Sequence, residues 1–317
     1  MKSKKIWIPL VVVAAFVGIL LKMSVFYTAS YEIPAVTLGD DFQVSILKRE
    51  AALGPTPGTN KTFQWAFPDK RKTPVALVHL HGFSGTRKEI APIPERIAEA
   101  ARSNLFMTRL TGHGLGSEAM GKLTAEDLLK DAEEAMAVGR RMGEKTVLIG
   151  VSTGAMLALE MAFKHPDQAA GLILISPNFR PSRAASVLLK GPLGKWIARN
   201  YVKEHRWNPS SRDEAMYWTT SYPAVALHEM MNLLSWINAR NLNAVRAPAL
   251  LYLSAADKVV SIDLIREKMK SYGGPLQIEE LPSADHVLVG DLKGAANNEA
   301  FLAKAIPFVQ ALTSLER

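Results

Sequence analysis

The sequence contains no cysteine, and this absence excludes several kinds of chemistry. Disulfide bonds, zinc sites built on thiolates, a cysteine nucleophile and lipid attachment to a cysteine all require that residue. The metalloprotease pattern His-Glu-x-x-His and a phosphate-binding loop with its lysine are also missing. Gly112, Gly114 and Gly116 resemble a dinucleotide-binding fingerprint but lack its final glycine, because position 117 is serine. We therefore expect no metal and no cofactor.

Charged residues are also few, at 21% of the 317 positions, whereas 48% are hydrophobic. Such a chain can bury one large core or two modest ones, and a wholly disordered protein is excluded. The formal net charge of +8 is local rather than spread along the chain. Residues 1–29 carry +4 and residues 177–248 carry +6, while residues 30–176 are neutral and residues 249–317 carry −2. Because the excess is confined to two segments, we expect no nucleic-acid partner.

The first 29 residues are typical of a signal anchor or a signal peptide. Three lysines within residues 2–5 precede an uncharged apolar run over residues 6–21, and Lys22 follows it. A helix over this run would be about 24 Å long, but continuing it to Tyr27 would span a bilayer if Lys22 reached the interface. A retained anchor would place the rest of the chain outside the cytoplasm, at the inner membrane of the cell envelope. Cleavage near Thr28-Ala29-Ser30 would instead give a periplasmic or secreted protein.

Beyond the leader, short apolar runs alternate with helical patterns, which indicates an α/β protein. Runs at residues 42–48 and 62–67 flank a turn rich in glycine and proline at residues 54–58, which predicts an antiparallel hairpin. Thr124 is a typical helix N-cap, and His165-Pro166 is a typical helix end. Six further apolar runs predict strands of a mostly parallel sheet with helices on both faces. These runs are Val75–Leu80, Asn104–Leu110, Thr146–Val151, Gly171–Ser176, Ala249–Ser254 and Leu276–Leu281.

The alternation of strands and helices stops after Ser176-Pro177 and resumes at Ala249. The segment between them lacks a clear strand, predicts helices over residues 184–203 and 225–241, and holds four of the six tryptophans. One crossover connection rarely needs so many residues. We therefore interpret residues 177–248 as a helical cap, inserted into a core made of residues 30–176 and 249–317.

The segment Gly150-Val151-Ser152-Thr153-Gly154 matches the pattern G-x-S-x-G. It follows a predicted strand and precedes a helical stretch, and a serine at such a turn projects its hydroxyl above the sheet edge. The two glycines let the strand and the helix approach closely. The helix N-terminus adds free N–H groups and a positive dipole end. This context favours Ser152 as a nucleophile over a simple helix cap.

A serine nucleophile needs a base, and the base needs an orienting acid. Asp257 lies three residues past one predicted strand and His286 five residues past the next. Both therefore reach the same carboxyl edge as Ser152, in the chain order Ser, Asp, His. Asp263 falls in a helix and Asp285 is adjacent to His286, so both are poorer candidates. The remaining histidines lie in a strand, at a helix end, in the cap or in early loops: His79, His165, His205, His228, His81 and His113.

The intermediate of an acyl transfer carries an oxyanion, which two N–H groups must stabilise. One predicted donor is the N–H of Thr153, directly after the nucleophile. The other is the N–H of Phe83, in the loop His81-Gly82-Phe83-Ser84-Gly85 that follows a predicted strand. We call residues 81–85 the oxyanion loop. The residues expected to support these two turns are His81, Gly82, Gly150 and Gly154.

These segments together resemble the α/β-hydrolase family of serine hydrolases. The similarity is strongest to bacterial monoacylglycerol lipases and small carboxylesterases, within the group that includes serine aminopeptidase-like lysophospholipases. It covers roughly residues 75–290 and is specific for fold and chemistry rather than for substrate. It rests on His81-Gly82-Phe83, Gly112-His113-Gly114, Gly150–Gly154, Ser254–Val260 and Asp285-His286-Val287. The resemblance implies an α/β-hydrolase fold with a cap after the sixth strand.

Hydrolysis of an apolar carboxylic ester through an acyl-enzyme is the leading hypothesis. Hydrolysis of an amide, as in cap-bearing aminopeptidases, needs carboxylates near the substrate amine, and the cap has only four acids among ten basic residues. Acyl transfer to an acceptor other than water would use the same three residues. A non-enzymatic envelope protein that uses the scaffold for binding is an alternative of another class. The expected partners are a small ester and a membrane, contacted by the leader and by the basic cap.

Overall fold

The computed structural model describes residues 18–19, 22–283 and 285–315. In this part of the chain a seven-stranded sheet has the order β1-β3-β2-β4-β5-β8-β9, and β6 and β7 form a separate pair. Strand β1 is antiparallel to β3, and the other neighbours in the large sheet are parallel. The strands are β1 (Thr62–Gln64), β2 (Thr73–Leu80), β3 (Asn104–Met107), β4 (Gly143–Val151), β5 (Ala169–Ile175), β6 (Glu204–Arg206), β7 (Ser221–Pro223), β8 (Ala249–Leu253) and β9 (Leu276–Glu280).

The helices cover both faces of this sheet, as the sequence predicted. Helix α4 begins after a complete capping box, in which Thr124 and Asp127 bind each other's backbone N–H groups. The α-helices from residue 42 onward are α1 (Phe42–Leu53), α2 (Ile93–Ala101), α3 (Ser117–Met120), α4 (Ala125–Met142), α5 (Thr153–Lys164), α6 (Gly191–Ile197), α7 (Arg212–Tyr217), α8 (Val225–Asn238), α9 (Ile262–Met269) and α10 (Asn298–Leu315). Shorter helical turns occur at Ala184–Leu189, Ala198–Val202, Leu242–Ala244 and Ala295–Asn297.

The core consists of two apolar clusters separated by the sheet. Successive residues of β4 point to opposite clusters, Leu148 to one and Ile149 to the other. The first cluster is closed by α4, α5 and α8, and the second by α2 and α10. The central strands are buried on both faces. This burial explains why their sequences are continuous apolar runs.

The prediction of a strand at residues 42–48 is wrong, because this segment belongs to helix α1. Its buried residues Phe42, Ile46 and Glu50 recur every four positions and so form one face of a helix. The carboxylate of Glu50 accepts two hydrogen bonds from the Arg109 guanidinium at 2.8 Å, and both side chains are buried. This pairing fixes the helix against the core. Strand β1 consequently pairs with β3 rather than with residues 42–48.

Residues 177–248 contribute no strand to the seven-stranded sheet. Helix α8 packs on α5 and is fixed there by a two-pronged ion pair between Arg240 and Glu160, at 2.7 and 2.8 Å. The short ladder between β6 and β7 was not predicted from the sequence. The N–H of Thr219 donates to the carbonyl of Ser84 at 2.8 Å. The segment therefore reaches the loop at the carboxyl end of β2.

The apolar run predicted at residues 6–21 lies almost entirely outside the described residues. Residues 22–26 are helical, and within the described ranges no helix has both the length and the apolar character needed to cross a membrane. Lys190 Nζ donates to the carbonyl oxygens of Val25, at 2.6 Å, and Tyr27, at 3.3 Å. The chain that follows the leader is thus held against residues 184–191.

Candidate active site

Ser152 occupies a sharp turn between β4 and α5. Its backbone has φ +54° and ψ −114°, a region that L-residues rarely adopt and that costs about 1–3 kcal/mol. The Ser152 N–H donates to the carbonyl of Ile175 at 2.8 Å, and the Ser152 carbonyl accepts from the Asn178 N–H at 3.1 Å. These bonds hold the turn in its strained conformation. The side chain is nearly enclosed, since only 6% of the residue is exposed.

The two glycines of the turn are required by close backbone contacts. A Cβ at Gly150 would lie 2.5 Å from the Cα of Ala155. A Cβ at Gly154 would overlap the carbonyl oxygens of Leu80 and His81. The start of α5 therefore packs directly against the end of β2, where the oxyanion loop begins. This contact brings the two predicted N–H donors to the same end of the sheet.

Asp257 and His286 form a hydrogen-bonded pair beyond the ends of β8 and β9. His286 Nδ1 lies 2.7 Å from Asp257 Oδ2, and Asp257 Oδ1 accepts from the N–H groups of Val259 and Val260 at 2.7 and 3.3 Å. Burial opposes ionisation of Asp257, but these hydrogen bonds outweigh it and hold the pKa of the carboxyl below its usual value. Asp257 therefore remains an anion, with one oxygen fixed by the backbone and the other facing His286.

The second ring nitrogen of His286, Nε2, is available to accept a proton. Among the described residues His286 Nε2 is buried and has no hydrogen-bond partner. The structure thus brings Asp257 and His286 together, and it does not join His286 to Ser152 by a hydrogen bond. Such contacts are often long in hydrolases without substrate and shorten when substrate binds. His286 Nε2 is the atom that would have to accept the proton of Ser152.

Some N–H groups of the oxyanion loop are hydrogen-bonded within the protein, and one is free. The Gly82 N–H donates to Glu89 Oε1 at 2.6 Å, and the Ser84 N–H donates to His113 Nε2 at 3.0 Å. The Phe83 N–H makes no hydrogen bond within the described residues. Thr153 is the first residue of α5, and an N–H at that position has no acceptor inside its own helix. Both N–H groups are thus free, and their role as oxyanion donors stays a prediction.

Two buried histidines hold the oxyanion loop. His81 Nε2 accepts from the Leu110 N–H at 3.0 Å, so its Nδ1 carries the proton and donates to the Gly82 carbonyl at 2.9 Å. His113 likewise accepts at Nε2 and donates from Nδ1 to the Thr111 carbonyl at 3.0 Å. Burial lowers the pKa of His81 well below its usual value and that of His113 to about 4, so both rings are neutral.

The sequence does not predict this role of His113, which lies in an early loop and in the wrong chain order for a catalytic base. Its flanking glycines, Gly112 and Gly114, were the only available signal. Both have positive φ values, +81° and +69°, so they form a turn that residues with side chains disfavour. That turn carries the ring of His113 under the oxyanion loop.

The site therefore combines a strained serine, an oriented histidine with a free nitrogen, a buried carboxylate and two free N–H groups. A family model described as serine aminopeptidase, S33, matches residues 72–293, which is more than half of the chain. The chain belongs to this family. It is accordingly an enzyme of the α/β-hydrolase class, as the resemblance had implied.

Proteins similar to this hydrolase include lipases and esterases. The thermostable monoacylglycerol lipase of Bacillus sp. (strain H-257) is 29% identical over 188 residues, which are 59% of this chain and 72% of the relative. A solved structure of the metagenome-derived lipolytic enzymes LipS and LipT is 20% identical, with a TM-score of 0.67, and the match covers 81% of this chain and 99% of that one. A soluble variant of monoglyceride lipase from Saccharomyces cerevisiae, in complex with a substrate analogue, is 12% identical with a TM-score of 0.61, covering 90% and 98%. At these identities the two solved structures show the fold alone.

Proposed function

We propose that this hydrolase cleaves carboxylic esters through a triad of Ser152, His286 and Asp257, with an acyl-enzyme intermediate. The observation that carries the proposal is the hydrogen bond between Asp257 and His286 at 2.7 Å, which leaves His286 Nε2 buried and unpaired. That nitrogen lies beyond the carboxyl end of β9, at the sheet edge that also carries Ser152 on its strained turn.

Each group has a defined step in this mechanism. His286 Nε2 takes the hydroxyl proton while Ser152 Oγ attacks the ester carbonyl, and Asp257 stabilises the imidazolium that forms. The N–H groups of Phe83 and Thr153 stabilise the oxyanion of the tetrahedral intermediate. His286 then gives the proton to the leaving alcohol, which breaks the ester bond and leaves the acyl group on Ser152. Water, activated by His286, attacks the acyl-enzyme and releases the acid.

The surroundings favour an apolar acyl group over a charged amine. The ring of Phe83 contacts His113 and Tyr222, with centroids 5.3 and 5.8 Å apart. Three of the four acids of the cap are already bound within the protein: Glu204 by Arg206 and Ser221, Glu214 by Lys293 and Ser210, and Glu229 by the Ala125 N–H. Such engaged carboxylates are poor receptors for a substrate amine. The similarity to a monoacylglycerol lipase also favours an apolar acyl ester as the substrate.

A panel of acyl esters tests the substrate class. We expect kcat/KM for monoacylglycerols and p-nitrophenyl esters to rise about fourfold per methylene until the acyl pocket is filled, because each buried methylene contributes about 0.8 kcal/mol. An aminoacyl p-nitroanilide serves as the amide comparison and should be cleaved far more slowly. A higher kcat/KM for the amide than for every ester would contradict the proposal and support the aminopeptidase alternative.

We also propose that residues 1–29 hold the enzyme at the inner membrane, with the catalytic part outside the cytoplasm. The lysines and the apolar run of this leader are typical of such anchors. The cap supports the proposal, because Trp196 and Tyr201 are 53% and 72% exposed and lie among the exposed Lys195, Arg199 and Lys203. Exposed aromatic rings together with basic side chains are typical of surfaces that contact anionic headgroups.

Membrane binding can be measured with the full chain and with a variant that lacks residues 1–21. We expect the full chain to remain in carbonate-washed membranes and the shortened chain to bind anionic vesicles only weakly. The double variant Lys195→Glu/Arg199→Glu should weaken that remaining binding by about tenfold or more, at about 1 kcal/mol per basic residue. Arg71→Glu/Lys72→Glu, at the opposite edge of the sheet, is the control. Equal vesicle binding by both double variants would contradict the role of the cap.

A further inference from the structure

The carboxyl group of Glu89 lies directly beneath the oxyanion loop, at a position that no sequence motif marks as functional. Glu89 follows a turn that is closed by its own N–H donating to the Thr86 carbonyl at 2.9 Å. This turn directs the side chain back toward β2, and Oε1 accepts the Gly82 N–H at 2.6 Å. Only 2% of the residue is exposed. The carboxyl is therefore a buried partner of the loop rather than a surface group.

The two glycines of the oxyanion loop fit around this carboxyl. A Cβ at Gly85 would lie 2.5 Å from Glu89 Oε2. A Cβ at Gly82 would lie 3.1 Å from Glu89 Oε2 and 3.4 Å from the Cβ of Ser152. Gly82 is thus packed between the buried carboxyl and the nucleophile. The carboxyl occupies the space that side chains at both positions would need.

The backbone of the same turn contacts the segment that follows His286. A Cβ at Gly290, whose φ is +99°, would lie 2.6 Å from the Cα of Ile90 and 2.8 Å from the Glu89 carbonyl oxygen. The Asp291 N–H donates to the Ala91 carbonyl at 2.9 Å. One turn therefore contacts both the oxyanion loop and the chain that carries the base.

Within the described residues Glu89 forms no ion pair with a basic side chain, and Arg87, two positions earlier, donates to the Asn60 carbonyl. The two histidines that hold the oxyanion loop, His81 and His113, are neutral. Burial raises the pKa of Glu89 to about 8, although the hydrogen bond from the Gly82 N–H opposes this shift. At neutral pH the side chain is therefore an uncharged acid.

We propose that Glu89 is a positioning residue, which accepts the Gly82 N–H and thereby fixes the oxyanion loop so that the Phe83 N–H faces the substrate oxygen. The inference rests on the proposed function, since it assigns Glu89 a role in the same acyl transfer. Among residues 82–85, Gly82, Ser84 and Gly85 each use their N–H groups inside the protein, which leaves Phe83 as the free donor of this stretch. Loss of the Glu89 acceptor would free the Gly82 N–H and let the peptide planes of the loop rotate.

Ionisation of Glu89 should affect both rate and stability. A negative charge beside the loop opposes the developing oxyanion, so kcat should fall as the pH rises through about 8. The folded protein keeps this proton between the ordinary glutamate pKa and about 8, whereas the unfolded chain loses it. Because the native state binds more protons in that range, this group reduces stability progressively as the pH rises.

Three variants test the role of Glu89. Glu89→Gln keeps an oxygen acceptor without a titrating proton, Glu89→Leu removes the acceptor, and Glu95→Gln in helix α2 is the control. We expect Glu89→Leu to lower kcat by about 10- to 100-fold with little change in KM, because an oxyanion donor is misplaced. Glu89→Gln should restore kcat at pH 7 and lose the decline that wild type shows near pH 8. The control should behave as wild type.

Thermal unfolding provides a readout that needs no substrate. The melting temperature of Glu89→Gln should exceed that of wild type by an amount that grows from pH 5 to pH 8. A kcat for Glu89→Leu equal to wild type, or the same alkaline decline in Glu89→Gln and wild type, would overturn the proposal. If Glu89→Leu does not fold, the dependence of kcat on pH in Glu89→Gln still tests the role of Glu89. Absence of ester turnover by wild type would instead contradict the proposed function.

Discussion

Replacing Ser152 with alanine is expected to reduce ester turnover by about 10⁴- to 10⁶-fold. In the proposed mechanism the Ser152 hydroxyl attacks the ester carbonyl, so no acyl-enzyme can form without it. The fold should be unaffected, since the turn is held by backbone bonds to Ile175 and Asn178 that an alanine also makes. The measurement is kcat with a p-nitrophenyl ester, together with the melting temperature of each protein.

Ser176→Ala is a matched control for this experiment. Ser176 also follows a strand at the carboxyl edge, has a positive φ of +44° and is buried. Within the described residues its hydroxyl makes no hydrogen bond, so its removal should leave kcat near that of wild type. Turnover by Ser152→Ala within tenfold of wild type would show that another residue is the nucleophile.

Asp257→Asn is expected to lower kcat by about 10⁴-fold while the protein stays folded. The N–H groups of Val259 and Val260 bind Oδ1, and an asparagine would keep its amide oxygen there. Its amide NH₂ would then face His286 Nδ1 as a donor. The imidazole would have to place its own proton on Nε2 and could no longer accept the proton of Ser152. The loss therefore arises from the wrong tautomer rather than from altered packing.

The control for the acid is Asp285→Asn, next to the base in sequence. Asp285 is exposed, and its carboxylate lies 3.7 Å from Lys293 Nζ, a surface contact of little energetic weight. Its replacement should change kcat by less than about threefold. A large effect at Asp285 combined with a small one at Asp257 would reverse the assignment of the acid.

Most strands of the sheet could be predicted because they are largely apolar runs bounded by turn residues. All six predicted runs are strands in the structure, shorter or longer by up to three residues at their ends. The turn at Ser152 was predictable for a local reason, since Gly150 is required by its close contact with Ala155 in the same strand-to-helix turn. The order of Asp257 and His286 along the chain predicted that both lie at one edge, because parallel strands end there, and the structure joins them by a hydrogen bond.

The residues that the sequence predicted wrongly, or did not predict at all, have roles that depend on distant contacts. In residues 42–48 the apolar side chains fit both an alternating strand and one face of a helix. The buried ion pair between Glu50 and Arg109, 59 positions apart, is formed only in the helix. Glu89 has no local signature, and that of His113 is limited to its flanking glycines, because their partners Gly82 and Ser84 are reached only after the loops pack together.

The central claim is that Ser152 is a nucleophile activated for acyl transfer. The most direct measurement is to treat the wild-type enzyme with a fluorophosphonate and to locate the modified residue by peptide mass spectrometry. We predict a single modification, on the peptide that contains Ser152, with loss of ester turnover in proportion to labelling. Modification of a different serine, or full ester turnover by an enzyme that the reagent does not label, would contradict the account.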